Sequence, residues 1–284
     1  MHRFAVWWIP LGRYVVKLLE ANEQLEMGYI EPVRQLYQAD DCQPWKDTLS
    51  AGNKQVSRNQ ANIEKRDPKD LIEGETHRFF TLDVGKNHYW GVIRAWSKTA
   101  KKSELLWYGQ IGDNEGQTKI KELVSLYDIK PGHVLIDVGY EAARIKEICG
   151  MNRWRGIRGN GQVKAFNRVV GSGKNSKRME LLYTSNQQMA VKNIKVIFFE
   201  IATNPIKDML YRLQNGGSSI EWTIPSDVDK QYLQHMRSEV RREGPVGKNK
   251  EIRSHWETVS RQNHLWDCEV YQVAAALVSG VFDS

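Results

Sequence analysis

Three aspartates carry the chemistry in this sequence. Asp83 follows the apolar run RFFTL and stands just before a glycine turn, Asp137 does the same in LIDVG, and Asp267 sits in RQNHLWDCEVYQVAAAL, a small, apolar, helix-forming run with no structural need of a charge. Singly, each has an ordinary reading: aspartate at a strand-to-turn junction is a common turn residue, and an acid in the first turn of a helix is favoured by the helix dipole. Brought together, two carboxylates repel and one protonates, unless a divalent cation between them removes that cost. Hard oxygen donors of this kind suit Mg²⁺ or Mn²⁺ rather than zinc. His264, three residues before Asp267, either positions a ligand or contacts phosphate, or else bonds backbone at the helix start.

For these acids to meet, the elements carrying them must converge. Arg78 to Val84, Tyr89 to Trp96 and Glu104 to Ile111 read as three short strands in an antiparallel meander. A helical pattern over Gln117 to Tyr127 follows, closed by Pro131 and Gly132, and His133 to Val138 is a strand whose unbroken apolar centre predicts burial on both faces. Glu141 to Cys149 is again helical. The right-handed crossover rule sets the fourth strand beside the first, which makes Asp83 and Asp137 neighbours. This order predicts an α/β fold with a ribonuclease H-like mixed sheet, a three-strand antiparallel meander plus parallel strands, flanked by helices.

Beyond Gly150 the pattern weakens. WRGIRG and Ile194 to Ile201 read as strands, Pro205 to Leu213 as a short helix, Ile220 to Ile224 as a short strand, Asp227 to Arg242 as an amphipathic charged helix and Gly244 to Lys250 as a loop. On the closing helix, Tyr271, Ala274 and Val278 continue the face of Asp267, so packing that face on the sheet turns the carboxylate inward. At the other end, Tyr14 to Tyr37 is helical and Asp40 to Gly74 polar. The expected division is a helical segment and linker over residues 1–74 and the α/β domain over residues 75–284.

The composition is that of a soluble globular chain of 284 residues, 40% apolar, with net charge +7. The charge is concentrated: from Met151 to Lys195 there are ten basic residues and a single acid, Glu180. Cations with Gly/Ser flexibility form a DNA-backbone surface, with Arg155, Arg158, Lys164, Arg168 and Lys174 as its candidates. Three cysteines without C-x-x-C spacing point to neither a disulfide framework nor zinc, and no run approaches the length of a membrane span. Gly171-Ser172-Gly173-Lys174 imitates a phosphate-binding loop, but Arg168 and Asn175 break that motif and no buried strand leads into it.

The segments TLDVG, LIDVGYEA, IRG, NPIKDMLYRL and above all RQNHLWDCEVYQVAAAL, in this order, resemble the nuclease part of tailed-phage terminase large subunits. The resemblance runs from about Phe79 to the end, and more loosely over Leu19 to Trp45. It implies a metal-dependent endonuclease that cleaves double-stranded phage DNA concatemers during genome packaging, with Asp83, Asp137 and Asp267 as ligands of two Mg²⁺ or Mn²⁺ ions. It also implies an ATPase portion, a small terminase subunit and a portal as partners, no membrane, and the cytoplasm of the infected bacterial host as location. Arg158 stands in IRG where relatives more often have lysine, and no ATPase motif is present. Met1 is therefore expected to begin a fragment or a separately encoded nuclease portion. The competing readings are another ribonuclease H-like nuclease or strand-transfer enzyme, such as a resolvase or transposase, and a DNA-binding module without catalysis.

Overall fold

A strand whose residues are apolar on both sides needs cover on both faces, and the central strands of this chain have it. The computed structural model describes residues 10–26, 29–41, 62–114, 116–170, 176–184, 187–191, 194–246 and 251–283. Helices α1 (Leu11–Glu26) and α2 (Glu31–Gln35) come first, the second running into a π-helical turn, and a two-residue strand β1 (Asn62–Ile63) precedes the meander β2 (His77–Val84), β3 (His88–Ser97) and β4 (Lys102–Gly112). Next are α3 (Gly116–Leu126), β5 (Val134–Asp137), α4 (Ala142–Asn152) and β6 (Arg155–Asn160). The chain continues through β7 (Phe166–Val170), β8 (Lys177–Leu181), β9 (Gln187–Val191), β10 (Ile194–Ala202), α5 (Thr203–Gln214) and β11 (Glu221–Pro225). It closes with α6 (Lys230–His235), β12 (Glu239–Val246), β13 (Glu251–Thr258) and α7 (His264–Val278).

Nine strands form one sheet in the order β1-β11-β4-β3-β2-β5-β6-β10-β9. β2 pairs antiparallel with β3 and β3 with β4, whereas β5 lies parallel to β2, β6 to β5 and β10 to β6. A meander joined on its first strand by parallel strands, with helices on both faces, is the ribonuclease H-like arrangement that the element order predicts. Alternation along β2 divides the core: Phe79 faces one layer with α5, α6 and α7, while Phe80, Leu82 and Val84 face the other with Ile120 of α3 and Ile145 and Ile148 of α4. Among the described residues no helix is long and apolar enough to cross a membrane.

Four stretches depart from the sequence reading, one being Gly244 to Val246, which belong to β12 rather than to a loop. The polar stretch before Gly74 contributes β1, which pairs parallel with β11 at the sheet edge. The basic stretch from Gln162 to Val191, to which the sequence reading assigns no element, contributes strands: β7 and β8 form a hairpin and β9 pairs antiparallel with β10. The charged helix expected over Asp227 to Arg242 stops at His235. Asp229 caps α6, its carboxylate accepting the Tyr232 N–H at 2.8 Å, and the chain then turns through Ser238 into the β12–β13 hairpin. Period two wins over period 3.6 here because Glu239 and Arg241, on one side of β12, meet Lys207 and Asp208 of α5.

Helix α7 is nearly all buried, and its few polar side chains fix its place. Glu269 pairs with Arg94 of β3 at 2.9 Å, both side chains fully buried. The Gln272 amide donates to the carbonyl oxygens of Phe79 and Val92 and to Thr81 Oγ1, and its oxygen accepts the Trp96 indole N–H. Thr81 in turn donates to the Cys268 carbonyl at 2.9 Å. Removing one partner of a buried ion pair strands the other, which costs about 3 to 5 kcal/mol. Glu269→Ala is expected to lose that much in urea denaturation, and Arg94→Met with Glu269→Leu to recover most of it.

Candidate active site

The pairing of β2 with β5 runs through Leu82 opposite Ile136, so Asp83 and Asp137 follow at the next register position. They share the parity of Thr81 and Leu135, the face that α7 covers. On α7, His264, Asp267 and Tyr271 are spaced three and four residues apart, which puts them on one side of the helix. The two sets meet. His264 Nδ1 lies 2.6 Å from Asp83 Oδ2, the Tyr271 hydroxyl is close enough to Asp137 to favour its ionised form, and Asp267 Oδ2 accepts from Asn263 Nδ2 at 2.8 Å. Asp137 also accepts the backbone N–H of Gly139 at 3.1 Å, a close approach in which a Cβ on residue 139 would touch the carboxylate.

Burial and crowding dominate the electrostatics. Asp137 is pushed up to about 6, first by burial and then by the charge of Asp83, against the opposing hydrogen bonds of Gly139 and Tyr271. Asp267 is raised well above the usual carboxylate range, again by burial first and Asp83 second, with the Lys207 ammonium opposing. The first turn of a helix favours an ionised acid, but at Asp267 desolvation and like charges outweigh it. Burial raises the Tyr271 phenol too, aided by Asp137. A place that raises two carboxylates in this way lacks positive charge, and oxygen donors with that deficit fit a hard divalent cation. The carboxylates are nevertheless turned to separate partners. Among the described residues no three His, Cys, Asp or Glu side chains close on one point as metal ligands.

Histidines and an indole wall the Asp83 side, and none but His264 was legible beforehand. The His264 ring stacks parallel to Trp90, centroids 5.9 Å apart, and stands edge-on to His88 at 5.4 Å. His235 Nδ1 accepts the Leu265 N–H at 3.1 Å, which leaves any ring proton on Nε2. His88 and His235 are both lowered by burial and then by His264, so they favour the neutral form. Of the two readings open for His264, the bond is to a carboxylate rather than to backbone. Tyr271 and Asn263 were missed as partners of the acids. The available signal was their spacing of four residues on either side of Asp267.

The basic residues do not gather around the acids. Arg155 begins β6, opposite Leu135 and so at the far end from Asp137, with its guanidinium 5.7 Å from the Phe199 ring centroid. Arg158 has the opposite parity to Ile157, the partner of Asp137, and therefore lies on the other face, 3.5 Å from Glu200. Lys164 is exposed and 3.8 Å from Glu31, and Arg168 is exposed on the β7–β8 hairpin. Lys174 lies outside the described residues.

A ribonuclease H-like sheet with acids at adjacent strand ends beneath a crossing helix defines the class. A family described as "Terminase large subunit gpA, endonuclease domain" matches residues 7–283, and the chain belongs to it. No curated protein is matched. Two solved structures are similar. The large terminase nuclease from thermophilic phage G20c with bound magnesium is 14% identical over 74% of this chain and 84% of that one, with a TM-score of 0.35. Another structure of the G20c large terminase nuclease is 15% identical over 76% and 90%, with a TM-score of 0.34.

The Asp137 shift has a sign that can be measured. Its folded-state value lies above the ordinary 3.8, so its contribution to stability is present below that pH and is lost as pH rises through about 6. For the metal-free protein, Asp137→Asn is expected to stabilise by on the order of 1 to 2 kcal/mol at about pH 7.5, and by little at about pH 4.5. Calorimetric unfolding scans at the two pH values check it.

Proposed function

We propose that this chain is a divalent-metal-dependent endonuclease that cleaves double-stranded phage DNA concatemers during genome packaging. The observation that carries the reading is that Asp83 and Asp137 end adjacent parallel strands on the face covered by α7, the helix that bears Asp267, in a chain of the terminase endonuclease family. In this reading the three carboxylates hold two Mg²⁺ or Mn²⁺ ions. Bound there, such ions would supply polarisation of the scissile phosphodiester, activation of a water and stabilisation of the leaving 3′-oxygen. The protein's own groups act around that chemistry. The Gly139 N–H orients Asp137, His264 orients Asp83 and Asn263 orients Asp267 through the bonds described above. The stacked Trp90 ring limits rotation of His264 and keeps its Nδ1 on the carboxylate.

DNA is held through its phosphates, without base reading, by cations of the 151–195 segment, foremost the exposed Lys164 and Arg168 and, by its place in the sequence, Lys174. Arg155 and Arg158 act from the far end and the far face of β6, and so bind DNA that extends past the acids or serve the fold instead. Residues 75–284 form the nuclease unit and residues 1–74 the end of a preceding region. The partners are a terminase ATPase portion, a small terminase subunit and a portal, and the setting is the host cytoplasm.

Supercoiled plasmid provides the test. With Mg²⁺ or Mn²⁺ the chain is expected to nick and linearise it, and chelation to stop both. Asp83→Ala, Asp137→Ala and Asp267→Ala are each expected to reduce cleavage by at least about a hundredfold, the scale on which misplaced catalytic groups act. Cleavage undiminished in these variants would sink the proposal.

A further inference from the structure

Between Asp137 and α4 the chain makes a turn that the helix itself does not require. Glu141, the residue before α4, has φ 48° and ψ 43°, and its side chain caps no backbone N–H. Left-handed backbone is rare for residues other than glycine, asparagine and aspartate, and a helix start ordinarily takes an extended residue with a short polar side chain. A neighbour holds Glu141 in place. Arg144 Nε lies 2.7 Å from Glu141 Oε2, and the same guanidinium donates through Nη2 to the Tyr89 hydroxyl at 2.9 Å and to Asp113 Oδ1 at 3.2 Å. Tyr89 makes the anchor firm: its ring is buried and lies so close to Gly116 that a Cβ there would come within 2.6 Å of it. The strand order β3-β2-β5 turns these bonds into a strap across the sheet edge. Tyr89 of β3 pairs with Val84, the residue after Asp83, and Glu141 follows the end of β5, so the guanidinium ties the segment leaving β5 to β3 across the end of β2. Inside the strapped turn, two residues before Glu141, the Gly139 N–H meets Asp137 Oδ1 at 3.1 Å.

We propose that Arg144 is a positioning residue: by holding Glu141 in the left-handed conformation it keeps the Gly139 N–H on Asp137 and fixes that carboxylate for a divalent cation. The inference rests on reading Asp137 as a cation ligand. Its sign separates it from simple electrostatics. Removing a positive charge near the acids would, by charge alone, tighten the binding of a cation. Releasing the group that orients a ligand weakens it.

Calorimetric titration with Mn²⁺ alone, and solvent exchange of the Gly139 amide followed by NMR in the metal-free protein, read the strap without DNA or cleavage. Arg144→Met is expected to bind Mn²⁺ roughly tenfold more weakly than the unaltered chain and to exchange the Gly139 amide at least about tenfold faster. In the Glu141→Gly background the strap has no attachment and the left-handed turn no side chain to strain, so there the same substitution is expected to change each quantity by less than about twofold. The Arg144 side chain is 45% exposed, so its replacement leaves the core intact. Circular dichroism checks folding, and Arg144→Gln replaces Arg144→Met if the latter does not fold. Unchanged or tighter Mn²⁺ binding in Arg144→Met, an unchanged Gly139 amide, or a loss that persists in the Glu141→Gly background overturns the inference while leaving the cation site standing. Failure of the unaltered chain to bind Mn²⁺ overturns the cation reading and, with it, the role of Arg144 in positioning a cation ligand.

Discussion

Arg94 and Glu269 meet where neither side chain has any exposure, and the position of α7 depends on that meeting. The carboxylate takes two guanidinium N–H groups and the Tyr232 hydroxyl, while the remaining guanidinium nitrogen reaches the Thr223 carbonyl and the guanidinium lies over Trp222. One interaction thus joins β3, β11, α6 and α7. Alanines and valines on the same helix would tolerate a slide or a rotation, since they ask only for apolar cover. Glu269 and Gln272 do not, because any other register would bury them without partners. Register, once chosen, decides which residues of α7 stand over the strand ends.

The satisfied interior and the unsatisfied edge are two parts of one design. Around Glu269 each charge has its opposite, and around Gln272 each polar atom has its hydrogen bond. Two residues before Glu269, Asp267 shares the field of Asp83, Glu239 and Asp137, which the Lys207 ammonium opposes. Local conflict of this kind, held in place by a consistent framework, is what functional sites look like on physical grounds. The stable part of α7 is what keeps the strained part from relaxing.

Much of this was legible in the sequence. The strands from β2 to β5 announce themselves by apolar runs bounded by turns, and the crossover rule then forces Asp83 beside Asp137. The partners of the acids were harder to see, because Tyr271 and Asn263 gain meaning only when helix and sheet are superposed. His88, His235 and Trp90 come from separate segments and carry no shared spacing at all. The charged helix expected after Asp227 was misread for a related reason: Glu239 and Arg241 look solvated in sequence, yet their charges are answered by Lys207 and Asp208 on another element. Long-range pairing erases the pattern that local periodicity would leave.

The separate tethers on the three carboxylates have a consequence for speed. A helix pinned at Glu269, Gln272 and the Cys268 carbonyl cannot approach or retreat as a body without breaking buried bonds, and such collective shifts occupy microseconds to milliseconds. Rotation of the Asp83 carboxylate away from His264 requires a side-chain torsion and no movement of the helix. Gathering the acids on a common point is therefore a matter of torsions within a fixed frame. In the proposed reading, ion capture is then paced by arrival from solvent and loss of hydration water.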